Sequence, residues 1–226
     1  RCKMVAVRDK ITARGLRNHG IEAISPGNPM MDGFAKRECP TDLGTYRRLI
    51  LLCGSRLPEA YENFKKLLIA IEFIQISSRI AVFVPLNSSS MNKKIELILT
   101  EFGFKPTNQS ISAKGISGIW KKKSLLILIG FNQFSLWANW GEVGVANAGT
   151  ATEQLVGLGI PCVSLPGKGP QFNFNFAKRQ SRLLGGAVAT NKDSQNLAKK
   201  VELLLNSDFD RELIGLRGSK RMGQEG

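Results

Sequence analysis

The sequence predicts an α/β fold in which a central parallel sheet is covered by helices on both faces. The first observation is a series of short apolar runs, such as LILLC at 49–53 and LLILI at 125–129, that lack the alternation of half-exposed strands. Continuous apolar runs are typical of strands that are buried on both faces of a parallel sheet. The second observation is that segments with helical periodicity separate these runs, as expected for a doubly wound domain.

The first 34 residues precede this regular pattern. Residues 8–19 have the pattern of a helix, which Gly20 ends, and residues 21–24 are predicted to form a short strand. Residues 26–34 contain two prolines, two glycines and an asparagine, a composition that indicates a turn or linker. We therefore expect a domain boundary in this segment.

From residue 49 onward, strands and helices are predicted in alternation. Strands are expected at 49–53, 80–84, 116–120, 125–129, 143–146, 161–165 and 187–190. Helices are expected at 58–76, 93–102, 132–139, 150–158 and 172–184, and two basic helices at 194–205 and 208–217 close the chain. Pro58 is compatible with the start of a helix, because the first turn does not need its amide.

The chain is strongly basic: its 226 residues include 32 lysines and arginines against 18 acidic residues, a formal net charge of +14. An excess of this size indicates an anionic partner, which can be a nucleic acid, a nucleotide or an anionic membrane surface. The basic residues occur in short groups, so no disordered basic tail is expected. A solvated basic surface explains the same composition.

Cysteine and histidine usage argues against a metal centre. Cys2, Cys39, Cys53 and Cys162 are far apart and His19 is the only histidine, whereas zinc sites need clustered ligands. Cys53 and Cys162 lie in apolar runs, and buried free thiols fit a reducing, cytoplasmic compartment. No apolar stretch approaches the roughly 20 residues that span a bilayer. His19, at a helix end, is expected to be structural or solvent-exposed.

Gly54, Ser55 and Arg56 form the first candidate binding loop, between a buried strand and a helix. Ligands of open α/β sheets bind at the carboxyl edge, where such loops lie. The glycine permits close approach, amides at the helix start can hold an anion, and Arg56 can make a bidentate phosphate contact. An ordinary loop with an exposed arginine fits the same residues.

The second candidate loop, residues 148–154, also joins a strand to a helix. Gly149 opens the helix, and Thr150 can cap it or bind a phosphate oxygen near the helix dipole. Glu153 and Gln154 lie in the first turns, where a side-chain acceptor can bind a ribose diol. The alternative is a plain helix cap with an acid that the dipole favours.

A third segment, residues 166–172, adds two glycines, a lysine and Gln171 after the next strand. It can wrap a phosphate, or it is a plain surface loop. All three loops are expected at the same edge of one sheet, and this convergence carries more weight than any single motif. No Gly-x-Gly-x-x-Gly follows a strand and no Walker A sequence occurs, so no cofactor is predicted.

The order of these motifs resembles the carboxyl-terminal half of the lipid-A-disaccharide-synthase-related proteins, within the GT-B glycosyltransferase superfamily. The resemblance rests on Gly-Asn-Pro at 27–29, Gly-Ser-Arg at 54–56, and Gly-Thr-Ala-Thr at 149–152 followed by Gly-Ile-Pro at 159–161. It extends over nearly the whole chain. It implies a Rossmann-like domain that holds a UDP-sugar donor, with the acceptor site and the catalytic base in a separate amino-terminal domain.

The resemblance also implies a division of the chain and the roles of several residues. Residues 1–25 are then the end of the amino-terminal domain, 26–38 the interdomain linker, and 39–226 the nucleotide-sugar-binding domain. The expected donor contacts are Gly54, Ser55, Arg56, Gly149, Thr150 and Thr152 at the diphosphate, Gly130 and Phe131 at the base, Glu153 or Gln154 at the ribose, and Gln171 in the third loop. No catalytic residue is expected in this chain.

Three features depart from the family pattern. The family's ribose-binding glutamate falls on Gln154, one place after Glu153, which leaves the nucleotide-sugar preference open. Cys53 stands where a proline often precedes Gly-Ser-Arg. The chain stops at Gly226, where the family usually continues into a returning helix, and most of the amino-terminal domain is missing, so we expect a fragment.

The leading hypothesis is the donor-binding half of an inverting hexosyltransferase that uses a UDP-sugar without a covalent intermediate or a metal. A lipid acceptor is expected, and basic faces can hold a cytoplasmic enzyme at the anionic inner face of the membrane. A UDP-sugar 2-epimerase shares the architecture but needs several acids and histidines around the sugar. The third hypothesis is a basic module that binds nucleic acid or a membrane surface without catalysis, although no recognition-helix signature supports nucleic acid.

Overall fold

The computed structural model describes residues 3–34, 38–167 and 174–226. In chain order, the strands and helices are β1 (Val5–Ala6), α1 (Lys10–Asn18), β2 (Ala23–Ile24), β3 (Tyr46–Leu52), α2 (Glu59–Glu72), β4 (Arg79–Leu86), α3 (Asn92–Glu101), β5 (Lys105–Pro106), β6 (Ile116–Lys122), β7 (Leu125–Phe131), α4 (Phe134–Trp137), β8 (Val143–Ala146), α5 (Thr150–Gly157), β9 (Cys162–Ser164), α6 (Phe174–Leu183), β10 (Val188–Thr190), α7 (Ser194–Asn206) and α8 (Asp208–Met222). Every strand and helix predicted from the sequence has a counterpart in this order, whereas β1 and β5 were not predicted.

The central sheet has eight strands in the order β10-β9-β8-β3-β4-β7-β6-β5. The strands from β10 to β7 are parallel, which confirms the predicted α/β class with a mostly parallel sheet. After β3 and β4 the chain forms β5, β6 and β7 on the far side of β4, and then returns to place β8 on the other side of β3. Such a switch point leaves a crevice at the carboxyl edge of the sheet, where ligands of open α/β sheets bind.

One edge of the sheet is antiparallel, in contrast to the parallel arrangement predicted. β6 pairs antiparallel with β7, and β5 pairs antiparallel with β6. Only Lys123 and Ser124 join β6 to β7, and Lys123 has a φ of 51°. A connection this short joins antiparallel neighbours, because a parallel crossover needs about a dozen residues or more.

Side-chain caps fix the starts of two outer helices. The Asp9 carboxylate accepts a hydrogen bond of 2.8 Å from the Thr12 amide at the start of α1. The Asp193 carboxylate accepts one of 2.8 Å from the Asn196 amide at the start of α7. Each bond satisfies an amide that has no partner within the helix, so these aspartates place the helix ends.

Apolar side chains on the two faces of the sheet form two cores. One core lies between the sheet and helices α2, α3 and α7, and the other lies mainly between the sheet and α4 and α5. Along β3, Leu49 and Leu51 belong to the first core and Ile50 and Leu52 to the second. Successive side chains of a strand point to opposite faces, and this accounts for the continuous apolar run in the sequence.

Cys53 and Cys162 are buried free thiols, as predicted. Burial disfavours the charged thiolate. It raises the pKa of Cys53 from 9.0 to about 12 and also raises the pKa of Cys162. Both thiols therefore stay protonated in the folded protein at neutral pH.

Replacing Cys53 by alanine should reduce the loss of stability at alkaline pH. Below pH 9.0 the thiol is protonated in both states, and between pH 9.0 and about 12 only the unfolded chain releases the proton, so stability falls as pH rises. Between about pH 8 and pH 10, the free energy of unfolding should fall by about 1.4 kcal/mol more in the wild type than in Cys53→Ala. Urea unfolding at both pH values measures this difference, and equal losses would contradict the raised pKa.

The amino-terminal residues form a small unit, β1–α1–β2, apart from the central sheet. β1 and β2 pair in parallel as a separate two-stranded sheet. The segment after this unit contacts the end of the chain: the Asn28 side-chain amide donates to the Met222 carbonyl at 2.7 Å, and the Asn28 N–H donates to the Gln224 carbonyl at 2.7 Å. The domain divisions at residues 25 and 38 stay a prediction.

Candidate functional site

A cavity of about 870 Å³ opens at the carboxyl edge of the sheet. The loops after β3, β4 and β8, the first turn of α2, and helices α5 and α6 line it, so it lies at the switch point. The predicted site residues that line it are Gly54, Ser55, Arg56, Gly149, Thr150 and Gln154. The structure thus brings the first two candidate loops together, and their binding of a UDP-sugar stays a prediction.

The loop after β3 depends on a glycine at its first position. Gly54 has a φ of +88°, in the left-handed region that side chains disfavour. A Cβ atom at this position would also lie 3.2 Å from the Asn147 carbonyl oxygen. Ser55 and Arg56 follow and are exposed, so the sharp turn at Gly54 presents both side chains at the cavity.

The amino terminus of α5 presents backbone amides to the cavity. Gly149 is its cap residue, and no side chain accepts a hydrogen bond from the first amides of the helix. The amides of Thr152 and Glu153 donate to the Gly149 carbonyl at 3.1 and 3.2 Å. The two preceding residues, Thr150 and Ala151, line the cavity, and amides at such a helix start attract anions.

Three residues of α5 that were predicted to bind the donor have different surroundings. Thr152 is buried, and its hydroxyl donates to the Ala148 carbonyl at 2.7 Å. The Glu153 carboxylate lies 3.0 Å from Nη1 of Arg8 in the amino-terminal unit. Gln154 lines the cavity, while its Nε2 donates to the Met30 carbonyl at 2.8 Å. Of the two candidate ribose-binding side chains, Gln154 is the one that reaches the cavity.

Gly130 and Phe131, which were also predicted as site residues, do not line this cavity. They end β7 and are absent from the described cavity lining. A Cβ atom on Gly130 would collide with the Trp137 ring and the Gly115 carbonyl, so packing alone requires glycine there. Gln171 lies outside the described residues. The predicted ligand contacts of these residues stay untested.

Two buried asparagines that were not predicted as site residues form the cavity floor. Asn147 directly follows β8. Its side-chain Oδ1 accepts a hydrogen bond from the backbone N–H of Leu165 at 3.1 Å, and its backbone N–H donates to the Leu52 carbonyl at 2.7 Å. Asn63 in α2 donates from Nδ2 to the Cys53 carbonyl at 3.1 Å, and its Oδ1 lies 3.5 Å from Nδ2 of Asn147. These bonds tie together the ends of β3, β8 and β9. For Asn147 the only sequence signal was a polar residue directly after an apolar strand, and Asn63 had none.

Helix α6 contributes further residues that the sequence did not single out. Asn175 and Arg179 line the cavity. Gln180 is buried, and its Nε2 donates to the Gly149 carbonyl at 3.2 Å. This bond fixes α6 to the cap of α5. Because α6 has the pattern of an ordinary basic amphipathic helix, no local signal distinguished these positions.

The described cavity lining carries more positive than negative charge. Its charged side chains are Arg56, Arg179 and Glu59, and this excess, together with the α5 amides, favours an anionic ligand. His19 is exposed at the end of α1, with Nδ1 2.9 Å from the Gly15 carbonyl. Within the described part of the chain, no group of three or more His, Cys, Asp or Glu side chains could hold a metal ion.

No protein-family model matches the chain, and no curated protein matches it. Similar solved structures include the S. aureus protein MnaA in a co-structure with UDP, with a TM-score of 0.58 and 13% identity over 99% of this chain and 56% of that one. UDP-GlcNAc 2-epimerase from Neisseria meningitidis, bound to UDP-GlcNAc, matches with a TM-score of 0.53 and 11% identity, over 96% of this chain and 57% of that one. The spinosyn rhamnosyltransferase SpnG matches with a TM-score of 0.51 and 13% identity, over 94% of this chain and 58% of that one.

At such low identities, these comparisons establish the fold. The chain spans little more than half the length of each of the three proteins, between 56% and 58%. Its mostly parallel sheet, flanked by helices, has the Rossmann-like architecture found in GT-B glycosyltransferases and in UDP-GlcNAc 2-epimerases.

Proposed function

We propose that this chain binds a UDP-sugar as the donor-binding half of an inverting glycosyltransferase. The observation that carries the proposal is the cavity at the switch point, where uncapped amides of α5 and two arginines lie around one crevice. A diphosphate is the part of a UDP-sugar that such a site would recognise, because arginines and helix-terminal amides both bind phosphate oxygens.

Each part of the cavity then has a chemical role. Arg56 and the α5 amides hold the diphosphate and stabilise the negative charge that it gains as the leaving group. The Thr150 hydroxyl donates to a phosphate oxygen, and the carbonyl oxygen of the Gln154 side chain accepts from a ribose hydroxyl. The chain contributes positioning and electrostatic stabilisation, while the general base and the acceptor site belong to an amino-terminal domain.

A UDP-sugar 2-epimerase is the second candidate, since a protein with that activity shares the fold. Epimerisation moves protons at sugar carbons and needs acid and base groups near the sugar. Glu59 is the only acidic residue in the described cavity lining, which contains no histidine. The described lining therefore offers one acid–base group, fewer than epimerisation needs, whereas the proposed glycosyl transfer takes its base from the amino-terminal domain.

We also propose a lipid acceptor at an anionic membrane surface, as in enzymes related to lipid-A-disaccharide synthase. Helix α6 supports this proposal, because Phe174 and Phe176 are exposed beside the cavity, with Lys178 and Arg182 on the following turns. Exposed aromatic and basic side chains together suit a lipid headgroup region. None of the described helices has both the length and the apolarity to cross a bilayer. Nucleic acid is the less favoured anionic partner.

Substitution of Arg56 by alanine should weaken UDP binding about 10- to 100-fold, since a hydrogen bond to a charged group contributes about 1.5–3 kcal/mol. Calorimetry with UDP, at constant salt, measures this effect, with ADP and GDP as comparison ligands. Arg14→Ala removes the same charge from the exposed surface of α1 and should leave UDP affinity within about twofold of the wild type, because screening weakens remote charges.

Three results would count against the proposal. Equal affinity for UDP, ADP and GDP would show a general anion site. Equal losses in Arg56→Ala and Arg14→Ala would show that net charge, not the cavity, attracts the nucleotide. A folded wild type that binds no UDP would exclude an independent donor site and favour the basic binding-module hypothesis, whose affinity for nucleic acid should fall steeply with salt.

A further inference from the structure

Glu59 occupies an unusual position in the cavity. It is the first residue of α2 and lines the cavity, three residues after Arg56. Its Oε2 atom is buried and has no hydrogen-bond partner within the described part of the chain. Glu62, one turn further along α2, is exposed, so the two acids of this first turn lie in different environments.

A helix start alone does not explain a buried carboxylate oxygen. An acid in the first turn gains from the helix dipole while it remains hydrated, as at Glu62. A buried acceptor without a donor instead costs about 1–3 kcal/mol. Glu59 lines the cavity, so a bound ligand can bring a donor to this carboxylate, either at its other oxygen or at Oε2 after a rotation of the side chain.

The required donor cannot be the phosphate part of a nucleotide. Ionised phosphates offer only acceptor oxygens, and their charge is repelled by the Glu59 carboxylate. Sugar hydroxyls and acylamino N–H groups are donors, and in a nucleotide sugar they are attached next to the diphosphate. Arg56 and Glu59 thus present opposite charges to adjacent parts of one ligand. Glu59 carries the one carboxylate among the lining residues that the structure describes.

We propose that Glu59 selects nucleotide sugars over the free nucleotide diphosphate by accepting a hydrogen bond from a hydroxyl or N–H group of the sugar. This inference rests on the proposed function, because it assigns a sugar subsite to the same cavity. The acid has two opposite effects: it strengthens binding of the sugar and weakens binding of the diphosphate alone.

The test is calorimetry with UDP, UDP-glucose and UDP-N-acetylglucosamine on the wild type, Glu59→Gln and Glu62→Gln. In Glu59→Gln, UDP should bind as in the wild type or about threefold more tightly, since one nearby negative charge is removed. At least one UDP-sugar should bind about tenfold more weakly, because a charged acceptor is lost. Glu62→Gln removes the same charge from the same turn and should change all three affinities by a common small factor.

The outcomes separate this inference from the proposed function. If the wild type binds none of the three ligands, the proposed function fails and the sugar subsite fails with it. If the wild type binds UDP but Glu59→Gln changes all three affinities equally, only the sugar subsite is overturned. A thermal unfolding midpoint for Glu59→Gln close to that of Glu62→Gln would exclude misfolding as the cause of any loss.

Discussion

Replacement of Asn147 by leucine should lower the free energy of unfolding by about 4 kcal/mol, because it leaves two buried polar groups without partners at about 1–3 kcal/mol each. The Leu165 amide would lose its acceptor, at 3.1 Å, and Oδ1 of Asn63 would lose its 3.5 Å contact. Asn147 itself is only 3% exposed, so water cannot readily replace these bonds. Urea unfolding of the variant and the wild type measures the effect.

The same substitution should weaken UDP binding. The bonds of Asn147 hold the ends of β8 and β9 beside the end of β3, and the loops that follow β3 and β8 carry Arg56 and Gly149. A binding site needs its groups held to within about 0.5 Å, so we expect a loss of about tenfold or more in UDP affinity, beyond the effect on stability.

Asn191 offers a matched control at the same edge of the sheet. It follows β10 as Asn147 follows β8, but it is only half-buried and its side chain donates locally, to the Ala189 carbonyl at 3.0 Å. Asn191→Leu should therefore cost less than about 1 kcal/mol and leave UDP affinity unchanged. Similar losses of stability in the two leucine variants would contradict the role assigned to Asn147.

Substitution of Gly215 by alanine should destabilise the protein by about 3 kcal/mol or more, the upper part of the range for overpacked sites. Gly215 is buried in α8, and a Cβ atom there would collide with the backbone carbonyl of Gly159, just beyond α5. Gly218 similarly lies against Val156 of α5. A rigid backbone cannot yield as a flexible side chain does, so α8 would have to move away from α5.

Gly15→Ala is the matched control for Gly215→Ala. Gly15 lies inside α1, and an added Cβ atom would meet nothing within 4 Å. Alanine is favoured over glycine in a helix by about 0.5–1 kcal/mol, so this variant should be slightly more stable than the wild type. The thermal unfolding midpoint should fall in Gly215→Ala and rise slightly in Gly15→Ala, relative to the wild type. Midpoints that move in the same direction in both variants would contradict the close contact of α8 with α5.

The layered arrangement of the fold could be predicted because its strands are apolar on both faces. The strand predicted at 143–146 has the observed ends, and the run at 125–129 lies within β7. Strand direction was the part that hydrophobic pattern did not specify. The gap of four residues between the predicted strands at 116–120 and 125–129 was itself a sign of an antiparallel pair, since no parallel crossover is that short.

The candidate site was predictable only where a loop has its own motif. Gly54 and Gly149 marked two loops after buried strands, and these loops meet at the cavity. Asn63, Glu59 and Arg179 had no such signal, because they reach the cavity through the order of the strands and the packing of α2 and α6. Local sequence does not encode that convergence. It becomes visible only when the topology is known.

The antiparallel edge of the sheet has a consequence for the behaviour of the protein at high concentration. An exposed edge strand is a template on which a second molecule can add a strand, and long apolar edges promote aggregation. Here the outermost strand, β5, consists of Lys105 and Pro106, both exposed. Proline has no amide hydrogen to donate to a further strand. The positive charge of Lys105 repels the same lysine of a second molecule, so this edge resists the addition of a further strand. Where β5 covers β6, at Lys121 and Trp120, the eight-stranded sheet is thereby kept from growing into an intermolecular one.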